Sequence, residues 1–241
     1  MPAWAGGVER RIACPSATRE TPPQHPVAPA VGVLNCRMPE EIILLTGAIE
    51  GPHLAAILNR YNSTLRVLHT ETADDLAAVV SSGAGQVPKR RLVAFCTGVV
   101  VPAVVLEALP GPAYNFHPGP PTFPGSWASG FAIYNEAERF GATLHVMDKR
   151  VDEGAIIDVD WFDMPENPKL RFDELEILAY QAALRLFDRY ASHLATDDQA
   201  LPASRETWSG DKHSKADVAA MKELPFDASE DEIRRRFRAF G

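Results

Sequence analysis

From Ile42 onward the chain alternates short apolar runs with amphipathic stretches. Ile42–Leu45 is an apolar run closed by Thr46-Gly47. A helix is predicted over Gly51–Arg60, and Leu65–His69 reads as a second strand. Thr72-Ala73-Asp74-Asp75 offers a cap and an acidic first turn for a helix running to about Val80. Leu92–Cys96 is a third strand, ending at Thr97-Gly98. Pro102–Ala108 reads as a short helix with proline at its start, and Ala113–Phe116 as a fourth strand. Strands alternating with helices imply parallel pairing through helical crossovers. The expected fold class is therefore α/β, a Rossmann-like, mostly parallel sheet with flanking helices.

The second half continues differently. Ser126 is placed to cap a helix over Trp127–Glu136. Gly141–Met147 and Ala155–Val159 read as two strands separated by the polar stretch Asp148–Gly154. In Arg171–Leu194 the residues Leu175, Leu178, Ala182, Leu186 and Tyr190 recur at helical steps. Beyond Pro202, Trp208–Lys212 is loop-like, and Ser229–Phe240 is a charged helix with Ser229 and Glu232 spaced as a capping box. Residues 1–38 stand apart, with six prolines, no lysine and no sustained period, so little stable structure is expected there. No apolar stretch marks a signal peptide. Met38-Pro39-Glu40-Glu41 leads straight into the first strand, which makes Met38 a candidate native start and residues 1–37 a start-codon artefact. The expected organisation is an N-terminal segment 1–38, a main domain 39–200 and a short helical appendage 201–241.

Composition narrows the classes. The 241-residue chain carries a net charge of -8, with about +2 in residues 1–38 and about -10 after them, which disfavours extensive phosphate contact. Arg234-Arg235-Arg236 is the densest basic cluster and reads as a solvated helix face. Three cysteines without paired spacing provide neither a disulfide framework nor a zinc signature, and Cys96 reads as a buried small residue. No metal is expected. No apolar run is long enough for a membrane span, and a reduced, cytoplasmic setting fits. Thr46-Gly47-Ala48-Ile49-Glu50-Gly51 lacks the glycines of a dinucleotide loop and carries an acid where phosphate would be repelled.

Asn115, His117 and Asp152 are the candidate chemical groups. Each lies where a strand is predicted to end or a loop to turn. An amide can donate to an oxyanion, an imidazole can move a proton near neutral pH, and a carboxylate can stabilise the imidazolium. These are the groups that acyl transfer to an amine needs. Taken singly, Asn115 could equally end a strand, His117-Pro118 could be a turn, and Asp152 near Gly154 a hairpin turn. His145 is expected to point inward and support the Asp152 loop. Asp148 and Glu153 are expected to be solvated, and His53 and His69 to be structural.

In combination, Asn115-Phe116-His117-Pro118, a Pro/Gly loop to Gly125, and Gly141-Ala142-Thr143-Leu144-His145 with Asp152 seven residues on resemble the folate-dependent formyltransferases. Asp152-Glu153-Gly154-Ala155-Ile156-Ile157 is similar to that family's Asp-x-Gly-x-Ile signature. The resemblance covers roughly residues 40–195. It implies Asn115, His117 and Asp152 as the catalytic triad and 10-formyltetrahydrofolate as cosubstrate. It also implies a pterin pocket along Cys96, Thr97, Gly98, Val99 and Val100, facing the loop of Met147, Asp148 and Val151. The loop Gly119–Gly125 departs from the family's common Ser-Leu-Leu-Pro and aromatic-Arg-Gly pattern. It is closer to sugar-amine formyltransferases than to glycinamide ribonucleotide or methionyl-tRNA enzymes. The implied partners are folate and a small-molecule amine acceptor such as an amino sugar, with tRNA the weaker candidate. A methionyl-tRNA formyltransferase-like enzyme, a 10-formyltetrahydrofolate hydrolase and a non-catalytic folate-binding module remain alternatives.

Overall fold

The structure is a computed structural model that describes residues 38–82 and 89–241. Apart from Met38, the expectations for the N-terminal segment lie outside the described residues. Six strands build one sheet: β1 (Glu41–Leu45), β2 (Arg66–Thr70), β3 (Arg90–Phe95), β4 (Ala113–His117), β5 (Arg139–Val146) and β6 (Ile156–Asp163). Their order is β2-β1-β3-β4-β5-β6. The first four are mutually parallel, whereas β5 runs antiparallel to both β4 and β6. The helices are α1 (Glu50–Tyr61), α2 (Ala73–Ser82), α3 (Ala103–Glu107), α4 (Ala128–Tyr134), α5 (Phe172–Thr196), α6 (Lys215–Lys222) and α7 (Glu230–Phe240).

Alternation within β1 shows why its run is wholly apolar. Ile42 and Leu44 pack with Leu54, Leu58 and Phe187 from α1 and α5. Ile43 and Leu45 face the other way, against Leu76, Val80 and Val105 from α2 and α3. A parallel strand covered on both faces has no polar side to show. A third core joins α4, α6, α7 and the start of α5 through Phe131, Leu175, Val218 and Phe240.

β3 begins two residues before the apolar run suggests. Arg90 is buried and its Nε lies 2.5 Å from Glu41 Oε1. The Arg91 guanidinium is buried too, and its Nη2 donates to the carbonyl of Asp197 at the end of α5. Both arginines are inside because partners on other elements meet them there, which hydrophobicity alone does not register.

The C-terminal end contains a helix that the sequence reading passed over. α6 is only eight residues long and has Val218 as its one buried residue, so its apolar period is faint. Its signal was the cap: Ser214 Oγ accepts from Asp217 N while the Asp217 carboxylate accepts from Ser214 N. The expected box at α7 is half formed. Ser229 Oγ accepts from Glu232 N, but the Glu232 carboxylate turns to Tyr134 and Arg236 instead. The arginine run is ion-paired, not freely solvated: Arg234 meets Glu230, Arg235 meets Glu136, and Arg236 meets Glu232. Among the described residues no helix is long and apolar enough to cross a membrane.

Candidate active site

Ligands of open parallel sheets sit beyond the carboxyl ends of the strands. β4 delivers Asn115 and His117 to that end. Two residues apart on one strand, they share a face, while Tyr114 and Phe116 between and before them point into the core at 0 % exposure. The antiparallel neighbour β5 sets His145 directly opposite Asn115. The β5–β6 register shifts between Leu144 and His145, where β6 carries one residue more, Ile157.

Asp152 joins from the β5–β6 connection and is 4 % exposed. Its Oδ2 accepts from Gly125 N at 2.8 Å and lies 3.8 Å from His117 Nδ1. Its Oδ1 lies 3.4 Å from His145 Nε2. The carboxylate therefore sits between two imidazoles and a loop amide. His145 Nδ1 is 2.9 Å from the Val146 carbonyl, which can only accept, so that nitrogen carries a proton. Nε2 lies between Asn115 Nδ2 at 3.1 Å and the Asp152 carboxylate, so it accepts from the amide when unprotonated and donates to the carboxylate when protonated. His145 supports the Asp152 loop as expected and orients the Asn115 amide as well.

Burial acts on both partners of the pair. It pushes the His117 pKa down; Asp152 opposes this, and His145 adds to it. Burial alone would push Asp152 up, but the charge of His117, the bond and charge of His145 and the Gly125 N–H hold it well below the usual carboxylate range. At neutral pH the site thus sets an ionised carboxylate beside a neutral imidazole. His117 Nε2 is buried without a hydrogen-bond partner among the described residues, packed against the Gly119 turn. Nδ1 is the ring nitrogen that faces the Asp152 carboxylate. The turn is tight because Gly119 has no Cβ; one added there would lie 2.6 Å from His117 Nε2. Thr143 Oγ1 holds the Gly119 carbonyl at 2.7 Å.

The cavity above these groups has a volume of about 650 Å³. Asn115, His117, His145 and Asp152 all line it. The residues expected to hold a pterin also line it: Cys96 to Val100 after β3, and Met147, Asp148 and Val151 after β5. Among the described residues the backbone N–H groups of Thr97, Gly98 and Val100 make no hydrogen bond, so that edge is free to meet a planar polar ligand. Cys96 departs from expectation. It lies past the end of β3, half-buried, with φ 45°, and burial with nearby Glu50 pushes its thiol pKa up. A thiolate nucleophile at neutral pH is thereby disfavoured.

Cys96, Trp127 and Asp152, three of the non-glycine residues with left-handed backbone, all line this cavity. Such strain collects where surrounding structure enforces a functional geometry. Trp127, not Ser126, is the residue preceding α4, and its side chain makes no cap: the indole Nε1 donates to the Ala239 carbonyl at 3.1 Å. Sequence reasoning also missed the wall formed by Ser129, Glu176, Tyr180 and Lys215. Ser129 Oγ donates to Glu176 Oε1 at 3.3 Å, and burial raises the Glu176 pKa. In the helical period Glu176 is merely polar, and its neighbourhood comes from α4 and α6. Glu153, expected to be solvated, instead pairs with Arg150 and Lys212. His69 gains a partner in the Thr46 carbonyl, and its ring lies against Gly51, filling the loop after β1.

Comparison with known proteins accords with this fold. Residues 76–167 match the formyl transferase family model. No curated protein matches the sequence. Among solved structures, a 4-N formyltransferase from Francisella tularensis is 17% identical, with a TM-score of 0.63 over 83% of this chain and 87% of that one. A sugar N-formyltransferase from a Shewanella species is 18% identical, with a TM-score of 0.65 over 83% of this chain and 87% of that one. An N-formyltransferase from Helicobacter canadensis, in complex with folinic acid and dTDP-3-aminofucose, is 16% identical, with a TM-score of 0.62 over 84% of this chain and 81% of that one.

Proposed function

We propose that this chain, whose residues 76–167 match the formyl transferase family model, moves a formyl group from 10-formyltetrahydrofolate to the amine of a small acceptor, an amino sugar in the reading we favour. The observation that carries the proposal is the meeting of Asn115, His117 and Asp152 around one cavity, with a free backbone edge beside them. Solved neighbours crystallised with folates and with amino-sugar nucleotides support the choice of donor and acceptor.

The chemistry is direct attack. The amine nitrogen bonds to the formyl carbon, and the carbonyl oxygen takes the electron pair. Asn115 donates an amide N–H to that oxyanion, an effect worth about 3–4 kcal/mol in comparable sites. His117 receives the amine proton, directly or through one water, and Asp152 stabilises the imidazolium so formed. As the intermediate collapses, the bond to the folate nitrogen breaks and that nitrogen takes up a proton. We read residues 39–200 as the catalytic domain and 201–241 as an appendage that completes its wall, since Lys215 and Val218 line the same cavity.

The test is an acceptor screen with 10-formyltetrahydrofolate, following tetrahydrofolate, formate and formylated product. We expect formylated amino sugar and little free formate. Asn115→Ala should lower kcat by about 10²–10³-fold while remaining folded. Formate released at the same rate without acceptor would favour a hydrolase. Donor binding without turnover would favour a non-catalytic folate module. Transfer to initiator tRNA alone would favour the tRNA reading, which the ion pairing of Arg234, Arg235 and Arg236 does not support.

A further inference from the structure

We propose that Trp208 and Lys212, in the irregular segment that joins α5 to α6, are positioning residues that hold His117 and Asp152 in their paired geometry. The kinetic part of this inference rests on the formyl-transfer reading; the geometric part does not. The segment is bonded along its length to the elements around the site. Leu201 N donates to the Tyr114 hydroxyl at 2.9 Å, and Ser204 N to the Ile156 carbonyl at 2.8 Å. Ser209 N donates to the Pro121 carbonyl at 2.9 Å.

Lys212 and His213, at the end of the strap formed by residues 201–213, grip both sides of the bond that places Asp152. That bond runs from Gly125 N to Asp152 Oδ2. Around Gly125, His213 N donates to the Pro124 carbonyl at 3.1 Å, and Ser126 N donates back to the His213 carbonyl at 2.8 Å. Around Asp152, Lys212 Nζ lies 2.5 Å from the Val151 carbonyl and 3.1 Å from Glu153 Oε1. Consecutive strap residues thus tie the two loops together at the point where they meet. Asp152 sits between these contacts with φ of 50°, a left-handed conformation uncommon outside glycine, asparagine and aspartate.

Trp208 closes the flank of the pair. Its Nε1 donates to the Gly154 carbonyl at 2.7 Å, and its ring stands edge-on to His145 at 5.0 Å and to His117 at 6.3 Å. The indole occupies space that water would otherwise take beside the imidazoles. The titratable groups facing His117 are Asp152 from the β5–β6 loop and His145 from β5. Asp148, Arg150, Glu176, Tyr180 and Lys215 share its cavity. Removing the ring hydrates this set while leaving every one of those charges in place.

The experiment follows the His117 imidazole by nitrogen NMR titration, alongside kcat and KM, in the full chain. In Trp208→Ala the His117 midpoint should rise toward that of a free imidazole, and the acidic limb of kcat should move up with it. In the same variant kcat should fall by on the order of 10- to 100-fold, with a smaller change in KM. Trp208→Phe keeps the ring and loses the bond to Gly154, so it should restore the wild-type midpoint and much of kcat. Lys212→Met, at an exposed position, should lower kcat several-fold more than it raises KM. If Trp208→Ala does not fold, Trp208→Leu takes its place. A wild-type His117 midpoint and unchanged kcat per folded molecule in the Trp208 and Lys212 variants would overturn the assignment. If the wild-type protein transfers no formyl group, the proposed function falls, while the NMR midpoints still decide this inference.

Discussion

Asp152 holds a charge where few side chains could. It is nearly fully buried, yet two imidazoles and the Gly125 N–H keep it ionised. Asp152→Asn preserves the shape and removes the charge. His117 then loses the neighbour that raises its pKa, so its titration should move lower still. The expected outcome is a kcat reduced by about 10²–10⁴-fold and an acidic limb displaced to lower pH, read from pH–rate profiles. The sign is opposite to that expected for Trp208→Ala, so the two variants separate charge from hydration. At this scale the three candidate groups that meet at the cavity were legible in the chain, because an amide, an imidazole and a carboxylate announce themselves by type. His145 was legible only as a supporting group. Its bond to Asn115 depends on the β4–β5 register, which no local pattern specifies.

The elements divide by how they are stabilised. Strands covered on both faces, such as β1, stand out as apolar runs, and α5 stands out by its period. Truncating Leu186 on that helix, at 0 % exposure, should cost about 2–5 kcal/mol in denaturant unfolding, because the cavity left behind cannot fully collapse. The turn between β5 and β6 is stabilised by close approach instead. A Cβ at Gly154 would lie 1.8 Å from the Val146 carbonyl, and the Gly154 carbonyl also receives Trp208. Gly154→Ala should therefore destabilise by about 3 kcal/mol or more and displace Asp152. Calorimetry and a pH–rate profile on the folded fraction would check both effects. The elements that escaped the pattern did so for physical reasons. α6 buries one residue, β3 opens on two buried arginines, and Trp127 precedes α4 with a left-handed backbone.

For the molecule as a whole, acid should be the weak direction. His117 has a folded pKa below its unfolded value, so below about pH 6.5 the unfolded chain binds a proton that the folded site resists. Asp152 adds to this lower down: its stabilisation is complete above its ordinary pKa and is lost as pH falls further. Denaturant melts should show a smaller unfolding free energy at pH 5.5 than at pH 7.5, and His117→Gln should narrow that difference. A pH-independent gap between variant and wild type would contradict the assignment. By itself the sequence determined the α/β pattern, the parallel half of the sheet and the candidate trio Asn115, His117 and Asp152, and it carried the resemblance on which the proposed donor rests. These depend on residue type and local period, which the chain carries openly. The tertiary structure decided the antiparallel placement of β5, the register that sets His145 opposite Asn115, and the wall of Ser129, Glu176 and Lys215. It also decided the return of residues 201–213 across the loops that carry Gly125 and Asp152. Those features are contacts between segments far apart in the chain, and their partners exist only once the sheet has set the register that brings them together.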